Sequence, residues 1–402
     1  MPESVLAPDQ HRLRLNRYEL SMGLPPSGAD PGTEALPAPP RCTARAALER
    51  SILEALARPP CVVSFSGGRD SSAVLAVASR VARRERLPLP VPVSLRFPDV
   101  EGTDETKWQE LVVRHLGLED WERIAVPDVD FVGPVATGVL RRHGLLWPPN
   151  THFHVPMLES AAGGSLLTGV DGDGLFGGWR WTPLGPSTPI RQRIAQRWRF
   201  AARAGANALP SWLRYAVGRR RMAPSAWIRP DAWPDVARYL TSVWEPEPRR
   251  WDERVAWWSR RRHLACIRWS MSRLASDHDV QLAHPLLDRS FLAAIARDGG
   301  ATGFGDRTAV MHALFGDLLP EAVLDRESKA YFDGATWGAY TRRFVEKWDG
   351  QGVDESLVDA EILRSEWEKS MPLFTAAPLL QSAWLATSGT DSPGTRGAIP
   401  TD

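Results

Sequence analysis

Lysine is almost absent. Of 49 basic residues in 402, it supplies only Lys107, Lys329, Lys347 and Lys369, so each can be weighed singly. Cysteine is scarcer still: Cys42, Cys61 and Cys266 show neither metal-ligand spacing nor a paired framework. That excludes a disulfide scaffold and fits a reducing, cytoplasmic setting. Net charge is also missing. A formal +1 excludes bulk electrostatic attraction to polyanions, so no nucleic-acid partner is expected. No apolar run is long enough to span a bilayer. The opening "MPESVLAPDQHRLRLNRYEL" lacks an apolar leader core, so no secretory signal is expected. There is no internal repeat, and no Gly-Lys-Ser/Thr follows a glycine loop, so no Walker loop exists.

What is present is alternation. The chain is long enough for one large domain or two. Residues 24–40 are rich in proline and glycine and read as a linker or ordered arm. "TARAALERSILEALA" (43–57) has a threonine start and helical spacing. "CVVSFS" reads as a buried strand, followed by a helix over about Ser71 to Arg84; "VPVSLRF" is a second strand. "TDETKWQELVVRHLG" reads as a helix capped by Thr103, with Asp104 and Glu105 in its first turn and Gly117 closing it. "WERIAVP" and "GSLLTG" are the third and fourth strands. Strands alternating with helices imply an α/β fold with a parallel sheet flanked by helices, and ligands at the strands' carboxyl ends. Beyond about Pro189 the pattern changes. Residues 191–222 hold nine arginines and no acid, a tryptophan- and proline-rich stretch follows, and the remainder reads as helical.

The turn "SFSGGRDSS" (64–72) carries chemistry. Paired glycines after a strand allow positive φ and bring N–H groups close to an anion, and the following helix adds its positive end. Ser66 and Ser71 offer hydroxyls, and Arg69 a cation. Asp70 repels phosphate unless a hard cation, Mg²⁺ above all, lies between them. A polar-capped structural turn is the plain alternative. "LLTGVDGDGLFGGW" (166–179) repeats the theme, with five glycines and two aspartates after a strand.

"SGGRDSS" resembles the SGGxDS pyrophosphatase-type (PP-loop) motif of adenine nucleotide α-hydrolase-like enzymes, which split ATP between its α and β phosphates. The second stretch resembles LSGEGSDEvFGGY of the asparagine synthetases, with Leu167, Thr168, Gly169, Asp173, Phe176, Gly177 and Gly178 on the pattern. "SRLASDHDVQLAHPLLDRSFLAAIA" (272–296) and "GDRTAVMHALFGDLLPEAVLDRESKAYFDG" (305–334) extend the likeness, the latter through Arg326, Lys329, Phe332, Asp333 and Gly334. Four ordered motifs over residues 41–390 resemble the synthetase domain of that family, whose members include β-lactam synthetases and lasso-peptide cyclases.

The resemblance implies ATP and Mg²⁺ as cofactors. It implies Asp70 and Asp173 as metal ligands, with Asp171 as an alternative, and Ser66, Gly67, Gly68 and Ser71 around the phosphates. Adenine is expected on backbone near Phe65, Leu95, Thr168 and Gly169. Lys329 is expected to stabilise charge near the α-phosphate, with Arg326 beside it. The expected division is 1–40 arm, 41–190 nucleotide-binding core, 191–260 Arg/Trp-rich helical insertion, 261–390 helical remainder and 391–402 tail.

Two departures shape the expected function. Residue 2 is Pro2 where family members bearing a glutaminase domain have a nucleophilic cysteine, so no glutaminase half is expected here. Val170 stands where the family has a catalytic glutamate, and Gly174 replaces a second acid. Valine accepts no proton. The expectation is therefore an AMP-forming amide synthetase joining a small-molecule or peptide carboxylate to an organic amine, as in macrolactam formation. Asp171, His152, His154 and Glu159 are candidate bases. "HFH" (152–154) as a metal pair lacks a third ligand. An ammonia-using asparagine synthetase and an inactive nucleotide-binding scaffold remain alternatives. The stretch from Arg191 to Arg221 reads as a solvated face, a membrane-surface helix, or a docking surface for an acidic peptide or partner protein.

Overall fold

The computed structural model describes residues 13–26, 28–98, 100, 102–126, 129–177, 179, 181, 190–207, 213, 215, 224–328 and 333–388. Five parallel strands run in the order β3-β2-β1-β4-β5: β1 Cys61–Ser64, β2 Val91–Arg96, β3 Glu122–Ala125, β4 Ser165–Leu167 and β5 Gln281–Ala283. Val62 pairs with Val91 on one side of β1 and with Leu166 on the other, and Leu166 pairs in turn with Leu282. The chain winds outward from β1 through β2 to β3, then returns to place β4 on β1's other flank. Such a reversal opens a crevice at the strands' carboxyl ends, between β1 and β4.

Helices cover the sheet. In chain order to the site's last element they are α1 Arg17–Met22, α2 Ala44–Leu56, α3 Arg69–Glu85, α4 Thr106–His115, α5 Pro134–His143, α6 Val155–Ser160, α7 Gly172–Phe176, α8 Ile190–Asn207, α9 Trp233–Val243, α10 Trp251–Ser259, α11 Arg262–Asp277, α12 Arg289–Gly299 and α13 Arg307–Phe315. The main core joins α2, α3, α10 and α12: Ile52, Ala55, Val74, Leu75, Val77, Val255, Phe291 and Ile295 are wholly buried. A second cluster gathers Trp227, Trp337, Trp348 and Trp367 around the C-terminal helices. Among the described residues no helix is long and apolar enough to cross a membrane.

Three local expectations need correction. Helix α3 begins at Arg69 rather than Ser71, so Asp70 lies in its positive first turn. Helix α4 starts only at Thr106. Thr103 caps nothing; its hydroxyl donates to the Val100 carbonyl at 2.7 Å, while Asp104 accepts the Thr106 N–H at 2.9 Å and holds the chain out of the helix. The segment after residue 252 is not wholly helical, because β5 adds a strand at the sheet edge. The proline-rich stretch packs on the domain: the Asp30 N–H donates to the Arg260 carbonyl at 2.7 Å, and Arg289 reaches Glu34 at 2.6 Å.

Candidate active site

The turn after β1 is shaped by its own glycines and hydrogen bonds. Gly67 has φ +80, the left-handed region that glycine enters freely. Ser66 Oγ lies 3.1 Å from Ser71 Oγ and accepts the Gly68 N–H at 3.3 Å, and Ser71 Oγ donates to the Gly68 carbonyl at 3.1 Å. Gly68 caps α3 without a side chain, so the helix's first N–H groups have no side-chain acceptor there. An anion is the complement of such an end.

The turn after β4 packs onto the first. A β-carbon on Gly169 would lie 2.8 Å from the Ser71 nitrogen, and one on Gly172 would overlap the Asp70 carboxyl group. Glycine at these two positions lets the motifs touch. Contact brings Asp70 and Asp173 together, and the Arg307 guanidinium bridges them: Nη2 is 2.9 Å from both oxygens of Asp70 and is also ion-paired with Asp173. Burial pushes the Asp70 carboxyl up to about 6, with Arg307 pulling it down and Asp173 pushing it further up. A cavity of about 240 Å³ opens here, lined by Ser66, Gly68, Asp70, Ser71, Thr168, Gly169, Val170 and Asp173 among others.

Not every residue singled out by sequence meets in that cavity. Leu95 lines a neighbouring hollow of about 160 Å³ that shares Glu105 with it. The N–H groups of Phe65 and Thr168 already donate to Val93 and Ala283, at 2.9 and 3.1 Å, and the Phe65 carbonyl accepts from Ser94 at 2.7 Å. Arg326 braces the first turn: it donates to the Gly67 carbonyl at 2.8 Å, pairs with Glu105 at 2.6 Å and lies over the Trp108 ring. Lys329, Phe332 and Arg219 to Arg221 lie outside the described residues, as does Gly178.

The four candidate bases stand apart from the cavity lining. His152 has both ring nitrogens 3.2 Å from backbone carbonyls, and burial depresses it to about 4. His154 sits 3.3 Å from the Thr151 carbonyl and is lowered by burial as well. Glu159 is exposed. Asp171 adopts φ +59, strained for a non-glycine residue, and lies 3.5 Å from His263. Its carboxylate and the Trp258 indole nitrogen fill the space that a side chain at Gly174 would need. A second acid there would have to displace both side chains.

Three residues escaped the sequence reading. Arg307 was one arginine among many. Arg254 is buried and donates to the carbonyls of Leu175 and Gly174 at 2.6 Å and of Gly177 at 2.9 Å, closing the C-terminal end of α7. His284, after β5, is 2.6 Å from Thr168 Oγ1 and is depressed to about 3 by burial, then by His154 and Arg268. Only the short strand β5 carries it there. On α8, Ile190, Ile194 and Trp198 are turned to solvent, while Phe200 packs on Trp181 with centroids 5.1 Å apart.

Among the described residues no cluster of three or more His, Cys, Asp or Glu could hold a metal ion. Asp70 and Asp173 supply two hard oxygen donors, enough for an ion whose other ligands are phosphate and water. A search of curated proteins finds no match. Among known protein families, residues 43–385 match the one described as Asparagine synthase.

Proposed function

The chain belongs to the asparagine synthase family and is an ATP-dependent, amide-bond-forming synthetase of that type; from this premise we propose that it adenylates a carboxylate and couples it to an organic amine. The observation that carries this reading is Val170, an aliphatic side chain lining the cavity beside Asp70 and Asp173. An aliphatic wall neither binds ammonium nor takes its proton. A tethered or organic amine, held by its own substrate, needs less from that wall.

In the proposed reaction a carboxylate oxygen attacks the α-phosphorus of ATP, and the bond to the β-phosphate breaks. The products are an acyl-adenylate and diphosphate. The amine nitrogen then attacks the acyl carbon, AMP leaves with the bonding pair, and the nitrogen loses one proton. The paired turns hold the phosphates through the Gly68 to Ser71 backbone and the two serine hydroxyls. Asp70 and Asp173 fit Mg²⁺: a guanidinium already lies between their carboxylates as a stand-in cation. An ion held there would supply positive charge to the departing diphosphate. Lys329, by family likeness, stabilises charge at the α-phosphate. Arg326 keeps the glycine turn in shape.

The favoured substrates are peptides or natural-product precursors carrying both groups, closed to a macrolactam. An acidic peptide or partner would dock on the arginine-rich stretch that begins with α8. The test is incubation with ATP, Mg²⁺ and short peptides bearing an Asp or Glu side chain and a free α-amine. The expected result is AMP, diphosphate and a peptide lighter by one water. Formation of asparagine from aspartate and ammonium, or of ADP and phosphate, contradicts the proposal.

A further inference from the structure

Arg307 opens α13 directly after its cap, Asp306, whose side chain accepts the Ala309 N–H at 2.9 Å. From there its guanidinium reaches both oxygens of Asp70 and one of Asp173. Its Nε is buried without a hydrogen-bond partner. The two other arginines lining the cavity are tied to the fold. Arg69 donates to Thr308 Oγ1 at 3.0 Å and the Leu324 carbonyl at 3.2 Å. Arg326 is tied to Gly67, Glu105 and Ser328. Arg307 differs from both, because its partners are the two carboxylates assigned above to the metal.

We propose that Arg307 is a resident counter-ion that keeps the Asp70–Asp173 cradle closed to free divalent cations and transfers to the diphosphate portion of the nucleotide when that binds. The inference rests on the metal assignment made under the proposed function. Two carboxylates converging in a half-buried cavity repel, and one guanidinium relieves that repulsion. A divalent ion arriving alone must displace the guanidinium and then face it as a like charge in a poorly screened space. A triphosphate reverses the balance. It brings paired phosphate oxygens that a planar guanidinium can grip two at a time, and more negative charge than one ion neutralises. Metal and nucleotide therefore assist one another, and such coupling is reciprocal.

The experiment measures free Mn²⁺ by electron paramagnetic resonance with the full chain, with and without α,β-methylene-ATP. Without nucleotide, Arg307→Gln is expected to bind Mn²⁺ about tenfold more tightly than wild type, within the usual range of coupling between two sites. With saturating Mn²⁺, the same variant is expected to bind the analogue about tenfold more weakly. Arg307→Lys keeps the charge and is expected to exclude Mn²⁺ as wild type does. Equal Mn²⁺ binding by wild type and Arg307→Gln without nucleotide overturns the inference, as does a lysine variant that binds as tightly as the glutamine one. Asp70→Asn reports on the underlying assignment. If it leaves Mn²⁺ binding in the presence of the analogue unchanged, the metal cradle itself is wrong and the inference falls with it.

Discussion

The Asp70 carboxyl group occupies the space that a β-carbon on Gly172 would fill. The first acid of the site is thus seated on the backbone of the turn that carries the second. The approach of the two motifs is set by contact between main chain and side chain.

Gly172→Ala tests that contact. Gly172 lies outside the left-handed region, so the added methyl acts by steric displacement of Asp70. Displacement of about 1 Å at a catalytic group can cost about a hundredfold in rate. The expected result is at least a roughly tenfold loss of Mn²⁺-dependent α,β-methylene-ATP affinity in calorimetry, with the circular dichroism spectrum unchanged.

Asp70→Ala and Asp173→Ala each remove one donor of the proposed cradle. Pyrophosphate release with a productive substrate is expected to fall by roughly 10²-fold or more in both. A variant of either kind with wild-type turnover would remove that aspartate from the metal assignment.

Arg254→Met probes the support beneath Asp173. The substitution leaves the carbonyls of Gly174, Leu175 and Gly177 without their cation, and Glu247 without the partner 3.3 Å away. Losing charge-assisted hydrogen bonds to three main-chain carbonyls destabilises by about 3 kcal/mol or more. Urea denaturation should show a loss of that order, read from a lower midpoint at unchanged slope.

His152 gives the fold an acid-sensitive limb. Its folded pKa is about 4, depressed by burial, against about 6.5 for an exposed histidine. Below about pH 6.5 the unfolded chain takes up a proton that the folded chain refuses, so stability falls as the pH drops toward 4. The histidine accounts for about 2 kcal/mol of loss between pH 7.5 and pH 5. His152→Gln is expected to flatten that limb in denaturation curves at the two pH values.

Much of the fold was legible because its signals are local. β1 and β4 are apolar runs ended by glycine turns, and α2 and α4 show helical spacing with recognisable ends. The parallel sheet and the two turns at its carboxyl edge follow from that pattern. β5 was not legible, since Gln281–Ala283 is three half-buried residues within a helical stretch and too short to display a period. The start of α3 was misread by two residues because Gly68 caps it without a side chain.

The site divides along the same line. Asp70, Asp173 and the glycines stand out by spacing. Arg254 and Arg307 do not, because in a chain so rich in arginine no local pattern separates a structural guanidinium from a solvated one. His152 drew notice as a titratable group, yet its ring is engaged with the Pro149 and Val129 carbonyls, contacts made only by the folded chain.

Anomalous diffraction from crystals grown with Mn²⁺ and α,β-methylene-ATP tests the central claim most directly. The account predicts a manganese peak ligated by both Asp70 and Asp173 and by phosphate oxygens, with Arg307 moved onto the phosphates. A nucleotide bound away from the β1 and β4 turns, or manganese bound without either aspartate, would contradict it.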